Sequence, residues 1–293
     1  MHTASRRQFL QCTAGLIAAS LLPAGHAQGQ SPKGSGGPFR IGLTPVFLDD
    51  QISFTARWRR WFEEQLDRPV VFVQRGNYRE IVDLLRTGKI DSAWLCGFPY
   101  ARYRRELQLV AVPLWRGQPY YQSYLIADAA ATHIRNLSDL RGKVFAYSDP
   151  DSNSGFLYPQ YALTQAGRNP ASYFSRTFFT WAHRKVVEAV SLGLAQGGAV
   201  DGYVWETLVE IAPALTAGTR IVETSPLFGY PPFVARRDLP DSEVRRLREV
   251  LLGMGSNAQG AELLGRLRLD GFTPGSISLY DSIAAMAEKV QRA

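Results

Sequence analysis

Apolar runs of strand length alternate with amphipathic stretches along the first hundred residues. Residues 39–44, 69–73 and 90–95 form the apolar runs. Between the first two, residues 51–66 place aromatic side chains at helical spacing, and we expect these side chains to face the core. Asn77 then has the side chain that typically caps a second helix. This β-α-β-α-β order predicts a parallel sheet with helices on its faces. Right-handed crossovers would bring the strand ends and helix starts to one edge, where ligands bind.

The alternation restarts after residue 128, which indicates a second α/β unit. Its predicted strands are residues 144–147, 176–180 and 200–205, and its predicted helices are residues 156–166, 184–194 and 206–215. Strands near 120–127 and 220–225 are expected to cross between the two units. The segment 231–235 opens with two prolines and is therefore expected at the edge of a sheet.

These elements predict an α/β fold of two lobes, with two parallel-rich sheets, flanking helices and a hinge made of the two crossing segments. Residues 39–125 and 226–293 form the expected lobe 1, and residues 126–225 form the expected lobe 2. Two hinged lobes that close over a guest molecule suit a binding protein.

The N-terminus has the features of an export signal. Residues 5–10, with the sequence SRRQFL, fit the twin-arginine pattern, and an apolar region over residues 12–23 follows. We expect residues 1–27 to be a twin-arginine-type signal peptide that is cleaved after Ala27, and residues 28–38 to be a flexible leader. A Sec signal that carries two arginines is the alternative, and either route leads to the periplasm.

Composition excludes some partners and favours others. The chain has 293 residues, of which 45% are hydrophobic and 20% charged, so it can bury a core. Its net charge of +7 would fall to +5 without residues 1–27, and this mild positive balance favours anionic small molecules. Lysine and arginine are scattered, with no basic run that contains aromatic residues, so we expect no nucleic-acid partner. We also expect a monomer.

The stretch that follows the predicted strand 144–147 is the main candidate for ligand binding. Ser152, Asn153, Ser154 and Gly155 stand where a helix begins, and the first N–H groups of a helix have no partner within it. The serine hydroxyls could donate to the same oxyanion, and Gly155 would let the backbone approach it. An ordinary helix cap is the alternative. Pro159 indicates either that this helix starts late or that its first turn is irregular.

A second candidate group lies at the end of the third predicted strand. Trp94, Cys96 and Tyr100 are expected at the ligand edge of the sheet. Cys96 is the one cysteine that remains after removal of residues 1–27, so it cannot form an internal disulfide. It is either a buried apolar residue or a working thiol.

Few residues suggest catalysis. The residues after Ala27 include only His133 and His183 as histidines, and no His, Cys and Glu set has the spacing of a metal site. There is no nucleophile elbow and no P-loop. We therefore expect neither an enzyme nor a cofactor.

The stretch 148–159, with the sequence SDPDSNSGFLYP, resembles the ligand loop of the PhnD-type phosphate/phosphonate-binding proteins of ABC importers. Residues 136–143 resemble the segment that leads into this loop, and residues 225–240 resemble the return to the first lobe. The resemblance covers about residues 39–290. It implies a type 2 periplasmic binding fold, an oxyanion held by residues 152–155, and an ABC permease as partner.

The resemblance also implies roles for two residues further along the chain. In this family a histidine at the start of the next helix often contributes, and His183 occupies that place. An acidic residue further on contacts the amino group of aminophosphonates, and Glu206 is the nearest match. A structural histidine and a helix N-terminal acid are the respective alternatives.

Cys96 departs from the phosphonate binders and is similar to the cysteine on which the AioX-type arsenite-sensing branch of the family depends. Neutral arsenite condenses with soft thiolates. Two alternatives to an importer component therefore stay open. One is an arsenite-binding periplasmic sensor that uses Cys96 and signals to a membrane histidine kinase, and the other is an enzyme on the same fold.

Overall fold

The computed structural model describes residues 37–44 and 52–292. The predicted signal peptide and the predicted leader up to residue 36 lie outside the described residues. In the described part, no helix is long and apolar enough to cross a membrane.

The strands are β1 (Phe39–Leu43), β2 (Val70–Gln74), β3 (Ser92–Trp94), β4 (Leu107–Leu114), β5 (Tyr120–Tyr121), β6 (Ser123–Asp128), β7 (Val144–Tyr147), β8 (Arg176–Phe179), β9 (Gly197–Asp201), β10 (Thr219–Thr224), β11 (Phe228–Gly229), β12 (Phe233–Arg236) and β13 (Gly271–Thr273). The α-helices are α1 (Ile52–Leu66), α2 (Tyr78–Arg86), α3 (Gly97–Tyr103), α4 (Tyr158–Gln165), α5 (Pro170–Tyr173), α6 (His183–Ser191), α7 (Gly202–Ile211), α8 (Pro213–Thr216), α9 (Asp241–Leu252), α10 (Ala258–Arg266) and α11 (Asp281–Gln291). Short 3₁₀ turns cover Leu137–Leu140, Met254–Ser256 and Ile277–Tyr280, and a π-helical turn covers Asn153–Leu157.

These strands form two large sheets and one small one. The six-stranded sheet has the order β13-β4-β12-β3-β1-β2, and the five-stranded sheet has the order β10-β6-β9-β7-β8. In each sheet three neighbouring strands at one end pair in parallel: β1 with β2 and β3, and β7 with β8 and β9. Antiparallel strands complete both sheets, so each is mixed.

The segments between the two large sheets differ slightly from the predicted crossings. β6 and β10 pair with each other inside the five-stranded sheet, whereas β5 and β11 form a separate two-stranded sheet. The expected lobe boundary after residue 125 therefore falls inside β6.

The expectation that residues 231–235 form an edge strand is wrong. β12 begins at Phe233, after both prolines, and lies between β3 and β4. Pro232 takes part only through its carbonyl, which accepts the N–H of Leu95 at 3.0 Å. Because the prolines precede the paired residues, their missing N–H groups interrupt no ladder.

The predicted strand 200–205 also ends too late. β9 stops at Asp201, whose side chain caps α7 by accepting the N–H of Tyr203 at 2.9 Å. The strand also begins earlier than predicted, at Gly197, and closely packed side chains cover its two glycines. A Cβ on Gly198 would lie 2.5 Å from Cγ1 of Val186. Glu206 consequently lies beyond the first turn of α7, and the acid at the N-terminus of that helix is its cap Asp201.

The predicted inward face of α1 is confirmed. Trp58, Trp61, Phe62 and Leu66 are at most 2% exposed and belong to the main core. The ring of Trp58 contacts the aromatic residues Phe54, Phe62, Phe72, Trp94 and Phe233.

Candidate binding site

Residues 148–155, which we call the ligand loop, leave the C-terminal end of β7 and include the start of an irregular helix. Its first turn is π-helical: Leu157 donates its N–H to the carbonyl of Ser152 at 2.9 Å, five residues back. The α-helix proper starts at Tyr158, with Pro159 in its first turn, where a proline needs no hydrogen-bond acceptor. Both explanations offered for Pro159, a late start and an irregular first turn, therefore apply.

Ser152 and His183 hold this turn in place. The Ser152 hydroxyl accepts the N–H of Gly155 at 3.0 Å and lies 3.5 Å from Nε2 of His183. Nδ1 of His183 accepts the N–H of Asp201 at 3.0 Å, so the ring proton resides on Nε2. Burial lowers the pKa of His183 to about 3, which keeps the ring neutral at pH 7. Both residues thus have structural partners, whatever else they contact.

Gly155 is required by a close approach within the loop. A Cβ at this position would lie 1.9 Å from Oγ of Ser148 and 3.1 Å from Cε1 of His183. No side chain fits there without displacing the loop.

Three polar side-chain atoms of this loop are buried and have no hydrogen-bond partner within the described part of the chain. They are Oγ of Ser148, Oδ1 of Asn153 and Oγ of Ser154. The Ser154 hydroxyl lies near the Tyr121 hydroxyl but completes no hydrogen bond of standard geometry. A buried polar group without a partner costs about 1–3 kcal/mol of folding free energy, so three of them on one loop indicate a binding site for a polar ligand.

Asn153 connects this group of buried polar atoms to Tyr121. Its Nδ2 donates to the Tyr121 hydroxyl at 3.0 Å. Rotation of the amide by half a turn would exchange the two atoms, so that Oδ1 accepts from Tyr121 and Nδ2 offers N–H groups to the guest. In either orientation Asn153 keeps bonding capacity for a ligand.

Cys96 faces this loop from the six-stranded sheet. It precedes α3, is 4% exposed, and its Sγ accepts the N–H of Asn153 at 3.3 Å. Burial raises the pKa of the thiol to about 12, against the opposing effect of N–H groups from Asn153 and Phe98. Two of the backbone N–H groups expected to be free for a ligand, those of Asn153 and Gly155, therefore have protein acceptors.

Trp94 and Tyr100 are packed into the core. The Trp94 ring stacks on Phe233, and its Nε1 donates to the carbonyl of Pro231 at 2.9 Å. Tyr100 is 1% exposed and meets the ring of Tyr280 edge-on. Since these contacts explain both side chains, we leave them out of the proposed ligand set.

Glu206 already has a cationic partner. Its carboxylate lies 3.1 Å from Arg116 and accepts the Tyr124 hydroxyl at 3.0 Å. A contact with a ligand amino group would compete with Arg116, and this role stays a prediction that the geometry does not favour.

Asp201 is the acidic residue that the sequence reasoning missed. It is 3% exposed, its backbone N–H binds His183, and burial raises the pKa of its carboxyl to about 7. Its charge adds to the effect of burial in raising the pKa of Cys96 and of Tyr121, so it shares their buried surroundings. The signal was present in the sequence, because an acid directly after an apolar run and before a helix typically marks a cap.

Solved structures that resemble this one include binding proteins. A binding-protein component of an ABC phosphonate transporter from Pseudomonas aeruginosa superposes with a TM-score of 0.80, at 23% identity over 87% of each chain. PhnD1 of Prochlorococcus marinus, solved with methylphosphonate, gives a TM-score of 0.78 at 21% identity, covering 87% of this chain and 98% of that one. The fold is that of the type 2 periplasmic binding proteins, and the predicted fold class is confirmed.

Sequence comparison specifies the family. Residues 41–280 match the family described as ABC transporter, phosphonate, periplasmic substrate-binding protein, and the chain belongs to this family. It is 29% identical over 195 residues to the phosphate-import protein PhnD of Mycolicibacterium smegmatis. That match covers 62% of this chain and 60% of the relative's length. The predicted PhnD-type resemblance is thereby confirmed.

Proposed function

We propose that the protein is a periplasmic solute-binding protein that captures a small phosphorus oxyanion and delivers it to the permease of an ABC importer. The observation that carries this proposal is the cluster of buried, unpartnered polar atoms on the loop of Ser148, Asn153 and Ser154. The class of ligand is supported by a relative named for phosphate import, by one named as a probable phosphite-binding protein, and by a neighbour solved with methylphosphonate.

The chemistry around this loop favours a protonated oxyanion. His183 is neutral, so attraction comes from hydroxyl and amide dipoles and from the start of the helix at Ser152. Asp201 shares these buried surroundings with a carboxyl pKa raised to about 7, so its ionised form would repel a fully ionised anion more than one that keeps a P–OH proton. Phosphate keeps such a proton near neutral pH, and phosphonates and phosphite keep it in part, whereas sulfate is fully ionised.

The division into lobes and the mode of export are part of the same proposal. We place the six-stranded sheet in lobe 1 and the five-stranded sheet in lobe 2, and we move the first boundary from residue 125 to just before Ser123, where β6 starts. Family members are periplasmic, and residues 1–27 would supply the export signal. Delivery to a permease requires release of the ligand unchanged, so we propose no catalytic step.

The arsenite-sensing alternative gains no support from the site. Cys96 is the free cysteine of the described residues, and burial holds its thiol in the neutral form at pH 7. The thiolate is the form that binds a metalloid.

Ser154→Ala tests the proposal more cleanly than the obvious change at Ser152. The Ser154 hydroxyl has no protein partner within the described residues, so its removal should leave the melting temperature of the ligand-free protein unchanged or slightly higher. Loss of one hydrogen bond to a charged ligand corresponds to about 1.5–3 kcal/mol, or roughly 10- to 100-fold in affinity.

The measurement is the melting shift with phosphate, phosphite and methylphosphonate, checked by calorimetric titration. Ser152→Ala is the matched comparison. It removes the hydroxyl that caps the helix by accepting the N–H of Gly155, so it should also lower the melting temperature of the ligand-free protein. If Ser154→Ala binds each of these anions as tightly as the parent does, the loop does not hold the ligand.

A further inference from the structure

Two carboxylates on the ligand loop reach across to the other sheet. Asp149 and Asp151 lie between β7 of the five-stranded sheet and Ser152, and they are only 2% and 4% exposed. Their partners belong to α2 and α3, which flank the six-stranded sheet. The loop is thus held from both sides.

Asp149 contacts the start of α2. Its Oδ2 accepts the backbone N–H of Tyr78, the first residue of that helix, at 3.0 Å. Its Oδ1 accepts the N–H of Asp151 at 2.7 Å, which fixes the loop in the shape that presents both carboxylates. A carboxylate at a helix N-terminus is stabilised by the unpaired N–H groups and the helix dipole there.

Asp151 is held by two guanidinium groups. Nη1 of Arg102 donates to Oδ1 of Asp151 at 2.8 Å, and Nε of Arg79 donates to its Oδ2 at 3.3 Å. The guanidinium of Arg102 also lies over the ring of Phe98, 4.3 Å from its centroid, so Arg102 is positioned by its own helix before any contact with the loop. Only the Asp151 side chain is buried in this cluster; Arg79 and Arg102 keep 66% and 30% of their side-chain surface exposed.

We propose that Asp149 and Asp151 act as a latch that holds the ligand loop against α2 and α3, so that the closed arrangement is populated before a ligand binds. The proposal deepens the proposed function, since closure matters for capture, but the contacts themselves involve no ligand. Separation of the two halves would return both carboxylates and the N-terminus of α2 to water. The latch residues are positioning residues, which set the affinity through the closed population rather than by touching the ligand.

Cys96 provides a built-in reporter of opening. Its Sγ lies directly under the loop and accepts the N–H of Asn153, so a reagent reaches it only when the loop moves away. The full chain contains one other cysteine, Cys12, and Cys12→Ser leaves Cys96 as the only thiol. The rate of alkylation by iodoacetamide, an uncharged reagent, then measures opening in the absence of ligand.

Asp151→Asn and Arg102→Gln should each raise this rate about tenfold or more, and the double variant should be no faster than the faster single variant, because both remove the same contact. Added sodium chloride at 0.5 M should accelerate the parent but not Asp151→Asn. Arg104→Gln is the matched control: it removes a positive charge next to the same helix, but Arg104 pairs with the exposed Asp281 and should change the rate less than twofold.

Equal rates in the parent, Asp151→Asn and Arg102→Gln would overturn the latch. If Asp151→Asn alone failed to fold, as judged by circular dichroism, the partly exposed Arg102→Gln would decide the question. Phosphate and methylphosphonate, added as probes, should slow alkylation of the parent. If the variants accelerate alkylation but neither anion slows it, the latch stands and the proposed ligand class fails.

Discussion

Asp201→Asn offers the most direct test of the buried charge in the candidate site. Burial raises the pKa of the Asp201 carboxyl from 3.8 to about 7, so the folded protein resists its ionisation. A raised carboxyl pKa adds stability at low pH, and that stability is lost as the pH rises from about 4 to about 7. Asparagine keeps an oxygen that can accept the N–H of Tyr203 but cannot ionise.

The expected magnitude follows from the two pKa values. At pH 8 the shift of about three units corresponds to about 4 kcal/mol of destabilisation that Asp201→Asn would relieve. At pH 5 the folded carboxyl is already protonated and the relief falls to about 2 kcal/mol. His183, whose pKa is lowered to about 3, changes stability over the acidic range equally in both proteins, so its effect cancels.

The assay is the melting temperature of ligand-free parent and variant at pH 5 and pH 8. A difference of about 2–2.5 kcal/mol between the two conditions corresponds to an extra gain of roughly 5–10 °C at pH 8 for a chain of this size. Glu188→Gln, a change of an exposed carboxyl on the neighbouring α6, is the control and should show the same small effect at both pH values. A gain that is equal at the two pH values, or a loss at pH 8, would refute a buried ionised carboxylate at Asp201.

Three further predictions concern the loop and the core. Gly155→Ala should lower the free energy of unfolding by about 1–3 kcal/mol and abolish the melting shift with methylphosphonate, because a Cβ would lie 1.9 Å from Oγ of Ser148. A Cβ at Gly76 would meet no atom within 4 Å, so Gly76→Ala should change neither measurement. His183→Gln should reduce the loss of unfolding free energy at acid pH, because the parent loses stability as the pH falls from about 6.5 towards 3 and an uncharged amide does not. Urea denaturation at pH 4, 5 and 7 measures this, and the same dependence of the unfolding free energy on pH in parent and variant would contradict the reasoning. Trp58→Ala should lower the free energy of unfolding by about 3–5 kcal/mol, as measured by urea denaturation. Trp58→Phe should lower it much less, because the indole N–H has no partner among the described residues, and similar losses in the two variants would contradict packing as the cause.

Local sequence determined most of the secondary structure. Asn77 was predicted to cap the second helix, and its side chain accepts the N–H of Glu80 at 3.0 Å. The aromatic spacing in α1 predicted its buried face, and Pro159 predicted the irregular start of the helix after Ser152. Each of these features depends on residues within one or two turns, which a pattern along the chain can show. The resemblance of residues 148–159 then indicated the family, which the comparison confirmed.

Only the tertiary structure decided what surrounds the loop. The Sγ of Cys96 meets a backbone N–H 57 residues away, and Asp151 meets Arg79 and Arg102 across 72 and 49 residues. From the sequence, Cys96 could be either a thiol ligand or a packed residue. In the structure it is buried and accepts the N–H of Asn153, as a packed structural residue does. Asp201 likewise acquires its raised pKa from its burial in the fold. Desolvation and long-range pairing depend on which elements meet in space, and no spacing along the chain specifies them.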